Sequence, residues 1–166
     1  MKKLSVVLAG VAIVVMASGG AANAQMGVAT MWTGSGVPDV MALPIMFGEG
    51  MVLQPMVAFV SESNSGTNTD VGLGLSIEKQ MREGTSPLFG GKAMVDIGSP
   101  DVGDSWTNFG FGVFVGGTAQ LGDNVDLVGQ WGPSVYIYAK ESPVYTDETV
   151  IQSEASITLR WWLWGE

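Results

Sequence analysis

The stretch VIQSEASITLRWWLWGE (150–166) separates into two sets when read at every second position. Ile151, Ala155, Ile157, Leu159, Trp161 and Leu163 are apolar, whereas Gln152, Glu154, Ser156, Thr158 and Arg160 are polar. Successive side chains of a strand point to opposite faces, so this alternation marks a strand with one dry and one wet face. A dry face turned inward makes a soluble barrel or sandwich. A dry face turned outward makes a barrel in a lipid bilayer. The alternation is the same in both cases, so other features must decide.

Turn signals cut the chain from 26 onward into eight alternating pieces: 26–33, 38–47, 51–62, 69–82, 87–97, 106–120, 124–140 and 149–164. The pattern is cleanest in 69–82, where Val71, Leu73, Leu75 and Ile77 oppose Gly72, Gly74, Ser76, Glu78, Gln80 and Arg82. It recurs in 106–120, where Phe109, Phe111, Val113, Val115 and Ala119 form the dry set. The links alternate as well. GEG (48–50), GTS (84–86) and LGDN (121–124) are tight, whereas SNSGTNT (63–69), GSPDVGDS (98–105) and ESPVYTDET (141–149) are longer and polar. Antiparallel strands joined this way place the longer links at one end, as a transmembrane barrel does.

The two faces point the same way. The wet face is rich in Gly, Ser, Thr, Gln and Asn with few charges, which suits the filled lumen of a narrow barrel better than a solvated surface. The dry face carries Phe89, Phe109, Phe111, Trp131, Ile157 and Leu159, and eight strands of such residues would overfill the interior of an eight-stranded barrel. Most runs reach the roughly 9–11 residues that a tilted membrane strand needs. Trp131, Tyr136, Tyr138, Trp161, Trp162 and Trp164 form a candidate aromatic girdle. The expected fold is all-β: an eight-stranded antiparallel up-and-down transmembrane β-barrel. The alternative is a soluble secreted or periplasmic lipocalin-like barrel that binds an apolar small molecule inside.

The start of the chain, MKKLSVVLAGVAIVVMASGGAANAQ, has a basic opening, an uncharged apolar run and Ala22-Asn23-Ala24. This is the pattern of a secretory signal peptide, with the domain division expected as 1–24 leader and 25–166 barrel. The run from Leu4 to Ala17 is shorter than the roughly 20 residues of a spanning helix. Loss of Lys2 and Lys3 takes the net charge from −9 to −11, so a basic nucleic-acid footprint is absent. The chain has no Cys and no His. It therefore has neither a disulfide framework nor the commonest general base and zinc ligand.

The phrases VMALPIMFGEGMVLQPMVAFV (40–60) and FGFGVFVGGTAQLGDNVDLVGQWG (109–132), with the leader and the aromatic last strand, resemble the small outer-membrane β-barrel proteins of Gram-negative bacteria, in the porin-like superfamily. The resemblance implies an outer-membrane location, contact with membrane lipid and handling by the barrel-assembly machinery. Members commonly end on an aromatic residue, whereas here Gly165 and Glu166 follow Trp164. It implies a structural, surface-interaction or narrow-pore role.

No catalytic motif emerges. Without His a Ser-His mechanism is excluded, and GLGLS (72–76) lacks the closing Gly of a nucleophile elbow. GFGVFVGG (110–117) has the wrong spacing for a dinucleotide fingerprint. No cofactor is expected. Asp96, Asp101 and Asp104 are placed in one loop as a weak Ca²⁺ candidate. Glu78, Arg82, Lys92, Glu154 and Arg160 are expected to form a lumen charge network, since buried charge is tolerable only when paired. Such a network plugs the lumen more readily than it conducts ions.

Overall fold

The computed structural model describes residues 24–33, 40–62, 68–81, 85–99, 106–138 and 149–164. Its strands are β1 (Gln25–Trp32), β2 (Val40–Ala42), β3 (Ile45–Phe47), β4 (Met51–Glu62), β5 (Asn68–Gln80), β6 (Ser86–Ser99), β7 (Trp106–Gly122), β8 (Val125–Ile137) and β9 (Thr149–Trp164). From β3 onward each strand pairs antiparallel with the next in sequence. β9 then returns to β1, with Val28 opposite Trp161 and Trp32 opposite Ile157, which closes the sheet.

β2 and β3 both lie between β1 and β4. They are two halves of one wall strand, so the closed barrel has eight strands. The piece expected to run unbroken over 38–47 is interrupted at Leu43–Pro44. Gly27 N donates to Pro44 O at 2.9 Å, and Leu43 N donates to Pro55 O at 3.0 Å. The return bonds would need N–H groups that Pro44 and Pro55 lack, so the ladder is incomplete on both sides of this point.

Burial settles which face is inside. Phe111, Val113 and Ile157 are 52%, 62% and 54% exposed, while Thr158 and Arg160 are fully buried. Ser76, Glu78 and Gln80 of β5 are buried and Leu75 and Ile77 are exposed. The polar set therefore fills the middle and the bulky hydrocarbon set forms an outer belt. This is the arrangement of a barrel in lipid and the reverse of a lipocalin-like barrel.

The β3–β4 turn places Gly48 and Gly50 at φ of 55° and 73°, a region glycine occupies without steric cost. This turn, the Asp123–Asn124 turn, the start of β1 and the end of β9 lie together at one end, the turn end. The longer links leave from the other, the loop end, and 34–39, 63–67, 100–105 and 139–148 lie outside the described residues. Among the described residues no helix is long and apolar enough to cross a membrane, which has no bearing on a strand barrel.

Candidate functional site

The lumen is divided along its axis. Towards the turn end, Arg160 of β9 meets Glu78 of β5 in a two-point ion pair: Nη1 donates to Oε1 at 2.5 Å and Nη2 to Oε2 at 2.6 Å. Both side chains are fully buried. Arg160 Nε donates to Gln54 Oε1 at 3.1 Å, and Gln130 Nε2 donates to Glu78 Oε2 at 3.0 Å. The planar guanidinium fork matches a carboxylate at two points, and the surrounding amides occupy remaining donor and acceptor positions. Arg160 sits beside Ala29 of β1 and Asp126 of β8 in register, so a small neighbour leaves it room. Asp126 accepts from Trp162 Nε1 at 2.7 Å. Leu88, Phe114 and Val128 pack as a buried apolar cluster. Phe114 folds over Gly90, where an added Cβ would collide with the ring and with Ile77 O. This half is filled by side chains.

Further towards the loop end, Lys92 Nζ donates to Glu154 Oε2. Glu154 also accepts from Ser134 Oγ at 2.7 Å, from Tyr136 Oη and from Gln152 Nε2 at 3.3 Å. Above this pair lies a cavity of about 550 Å³. One part of its wall, from β1, β2 and β4, presents Met31, Val40 and Met56, which belong to a buried apolar cluster with Ala29 and Ala42, and Ala58, which packs against that cluster half-buried. The part from β6, β8 and β9 presents Lys92, Asp96, Tyr136, Gln152, Glu154 and Ser156.

Of the lumen charges named from the sequence, Glu78 meets Arg160 and Lys92 meets Glu154, as two separate pairs rather than one cluster. Arg82 lies outside the described residues, as do Asp101 and Asp104. Asp96 lies within β6, paired with Gly72 and Asn108, and not in a loop. Among the described residues no group of three or more acidic side chains is placed to hold a metal ion.

The girdle needs correction. Tyr136 and Trp162 are buried inside the barrel, held by Glu154 and Asp126. Each has the parity of the inward face of its strand, and a buried ring that carries a polar hydrogen finds an acceptor there. Trp131 does face outward, but midway along β8 rather than at an edge. Trp161 faces outward near the turn end. Tyr138 lies at the end of β8, its ring stacked on Tyr136 with centroids 6.0 Å apart. The side chain of Trp164 lies outside the described residues.

Sequence reasoning missed Gln54, Gln130 and Ser134 as partners of the charges. Parity could have found Ser134 and Gln130, which share the inward register of β8 with Val128 and Tyr136. On β4 the inward set is Val52, Gln54, Met56 and Ala58, which is largely apolar, so sorting wet from dry gives no signal.

A closed eight-stranded antiparallel barrel with a polar interior and an apolar belt is the fold of small outer-membrane β-barrels. A comparison with solved structures bears this out. The crystal structure of Neisserial surface protein A superposes with a TM-score of 0.54 at 15% sequence identity, over 84% of this chain and 96% of that one. No protein-family model matches the chain, and no curated protein matches it.

Proposed function

We propose that this protein is secreted with loss of residues 1–24 and resides in the outer membrane of a Gram-negative envelope. There it serves as a non-catalytic, non-conducting barrel that contributes to envelope structure and presents its longer links at the surface. The observation that carries this reading is the inverted burial: Phe111, Val113 and Ile157 exposed, Thr158 and Arg160 buried. Water would penalise such a belt, since soluble monomers rarely expose apolar patches beyond a few hundred Å², whereas acyl chains accept it. Resemblance to a solved surface protein of the same fold supports the location. Lipid and the barrel-assembly machinery are the expected partners, the latter engaging the aromatic end of β9.

The filled turn-end half favours a closed lumen over a narrow pore. Envelope fractionation with gel mobility before and after boiling tests the location. Recovery in the outer-membrane fraction, with a shift on heating, is expected; a protein soluble without detergent would overturn the reading. Purified protein in planar bilayers should give no stable ohmic steps, and their appearance would replace the closed lumen with a pore.

A further inference from the structure

We propose that the wall segment formed by β2 and β3 is a lateral entrance, through which the hydrocarbon chain of a bilayer lipid reaches the loop-end cavity, with the Met56 side chain as its movable closure. The proposal rests on the barrel-in-lipid reading above and goes beyond it.

Three observations meet at this place. The first is a weak ladder. β2 and β3 have three residues each, whereas β5 to β8 run from 13 to 17. Pro55 O accepts from Leu43 N, but Pro55 has no N–H to return the bond, and Pro44 stands in the same relation to Gly27. Elements held by few contacts open at lower free energy than the rest of a structure. The second is a cavity of about 590 Å³ that opens on the outer face. Thr30, Met41 and Val57 line it in register across β1, β2 and β4, together with Leu43, Leu159 and Trp161. The third is the loop-end cavity of about 550 Å³ inside the barrel. Met56 and Leu73 line both spaces, so one patch of wall separates them.

The inner side of that patch carries little side chain. Ala29, Ala42, Met56 and Gly74 follow one another in register across it, and Met56 alone of the four has more than a methyl group. It is 7% exposed and reaches over Gly74, where an added Cβ would stand 2.9 Å from Met56 Cε. An unbranched thioether chain adapts readily to new shapes, so its displacement joins the two spaces where the ladder is already incomplete.

The lining names the occupant. The Thr30 hydroxyl and the Trp161 N–H are the only polar side-chain groups around the outer cavity, which leaves no partner for a charged head. Met41 and Trp161 at its rim are 61% and 57% exposed and belong to the lipid-facing belt. The bilayer core holds no water to fill such a space, and leaving it empty forfeits dispersion contacts. An acyl chain from the surrounding lipid fits both conditions. Inside, the path stays apolar along Met31, Val40 and Ala58, and the Arg160–Glu78 pair closes the lumen beneath, so the chain is held rather than passed.

The test uses the mature barrel, deuterated except for its methionine methyl groups, loaded one copy per disc in protonated phosphatidylcholine nanodiscs. Gel mobility before and after heating first establishes a folded membrane barrel; failure there defeats the barrel reading, not the entrance. Nuclear Overhauser contacts from acyl-chain protons are expected at the outward Met41 and Met81, and also at Met56, Met31 and Met94. Met31 and Met94 line only the inner cavity, so contact there reports a chain that has entered. Pro55→Val supplies the N–H that Leu43 O lacks, and should reduce the three interior contacts severalfold while leaving Met41 unchanged. Pro44→Val, which completes the pair with Gly27, serves the same purpose if P55V does not fold. Interior methyls without lipid contact in the unmodified chain would overturn the proposal. So would interior contacts undiminished in the folded proline variant, which would mean entry from the loop end. Loss of the Met41 contact on loading two copies per disc would assign the outer cavity to a second barrel and overturn it as well.

Discussion

Among the described residues, each half of the lumen contains an ion pair and uses it differently. In the turn-end half, Arg160 and Glu78 are sealed from water, and their remaining polar atoms are met by Gln54, Gln130 and Gln80. In the loop-end half, Lys92 and Glu154 keep about a fifth to a quarter of their side-chain surface exposed and border a cavity. A cation–carboxylate pair thus acts as a plug in one place and as a lining in the other. Arginine grips its carboxylate at two points where lysine is a point charge, and the surroundings differ as well. Leu88, Phe114, Val128 and Trp162 fill the space around the first, whereas Met31, Val40 and Met56 stand back from the second along the wall.

The comparison can be broken most directly at Arg160. Arg160→Met should destabilise the barrel by about 3–5 kcal/mol, because Glu78 is left charged and buried with no cation. Urea unfolding in lipid vesicles, followed by tryptophan fluorescence, measures this. The double change to methionine at Arg160 and Glu78 should recover most of the loss, since replacing both partners removes the stranded charge. If the single and double variants lose the same amount, the pair is not what holds the plug.

A smaller effect is expected from shape alone. Gly90→Ala forces a methyl group onto Ile77 O and the Phe114 ring, and overpacking of this kind costs about 1–3 kcal/mol. Gly129→Ala, which meets nothing within 4 Å, is the control, with a change of about 0.5 kcal/mol or less. Equal unfolding midpoints for the two variants would show that the turn-end half is loosely packed.

At the loop-end pair, Lys92→Met should cost only about 1 kcal/mol. Glu154 keeps hydrogen bonds from Ser134, Tyr136 and Gln152 and remains in reach of water. A loss as large as that of Arg160→Met in the same urea series would erase the distinction between the halves. Smallest of all, Gln152→Ala removes a single long, exposed hydrogen bond to Glu154 and should move the midpoint by no more than about 0.5 kcal/mol.

Much of the wall was legible in advance. The ranges 51–62 and 149–164 coincide with β4 and β9, 38–47 is broken into β2 and β3, and the other strands shift by a few residues at their ends. Residues that bear charge on a strict alternation, such as Glu78 and Arg160, were legible as lumen residues because few other places in a lipid-facing barrel tolerate them. Tyr136 and Trp162 were misplaced because aromatic rings serve both as outer anchors and as inner fillers, and composition does not distinguish the two. The break at Leu43–Pro44 was readable in principle from proline's missing N–H, but its position depends on which residues stand opposite on β1 and β4.

The sequence by itself determined a period-two chain of eight wall strands with a bulky apolar face and a sparsely charged polar one, because side-chain direction along a strand is set by the backbone. Only the tertiary structure decided which charges pair, and that one half of the lumen is filled while the other stays open. Those outcomes depend on register and closure, which bring Arg160 of the last strand to Glu78 of β5, 82 residues earlier, a juxtaposition that no local pattern encodes.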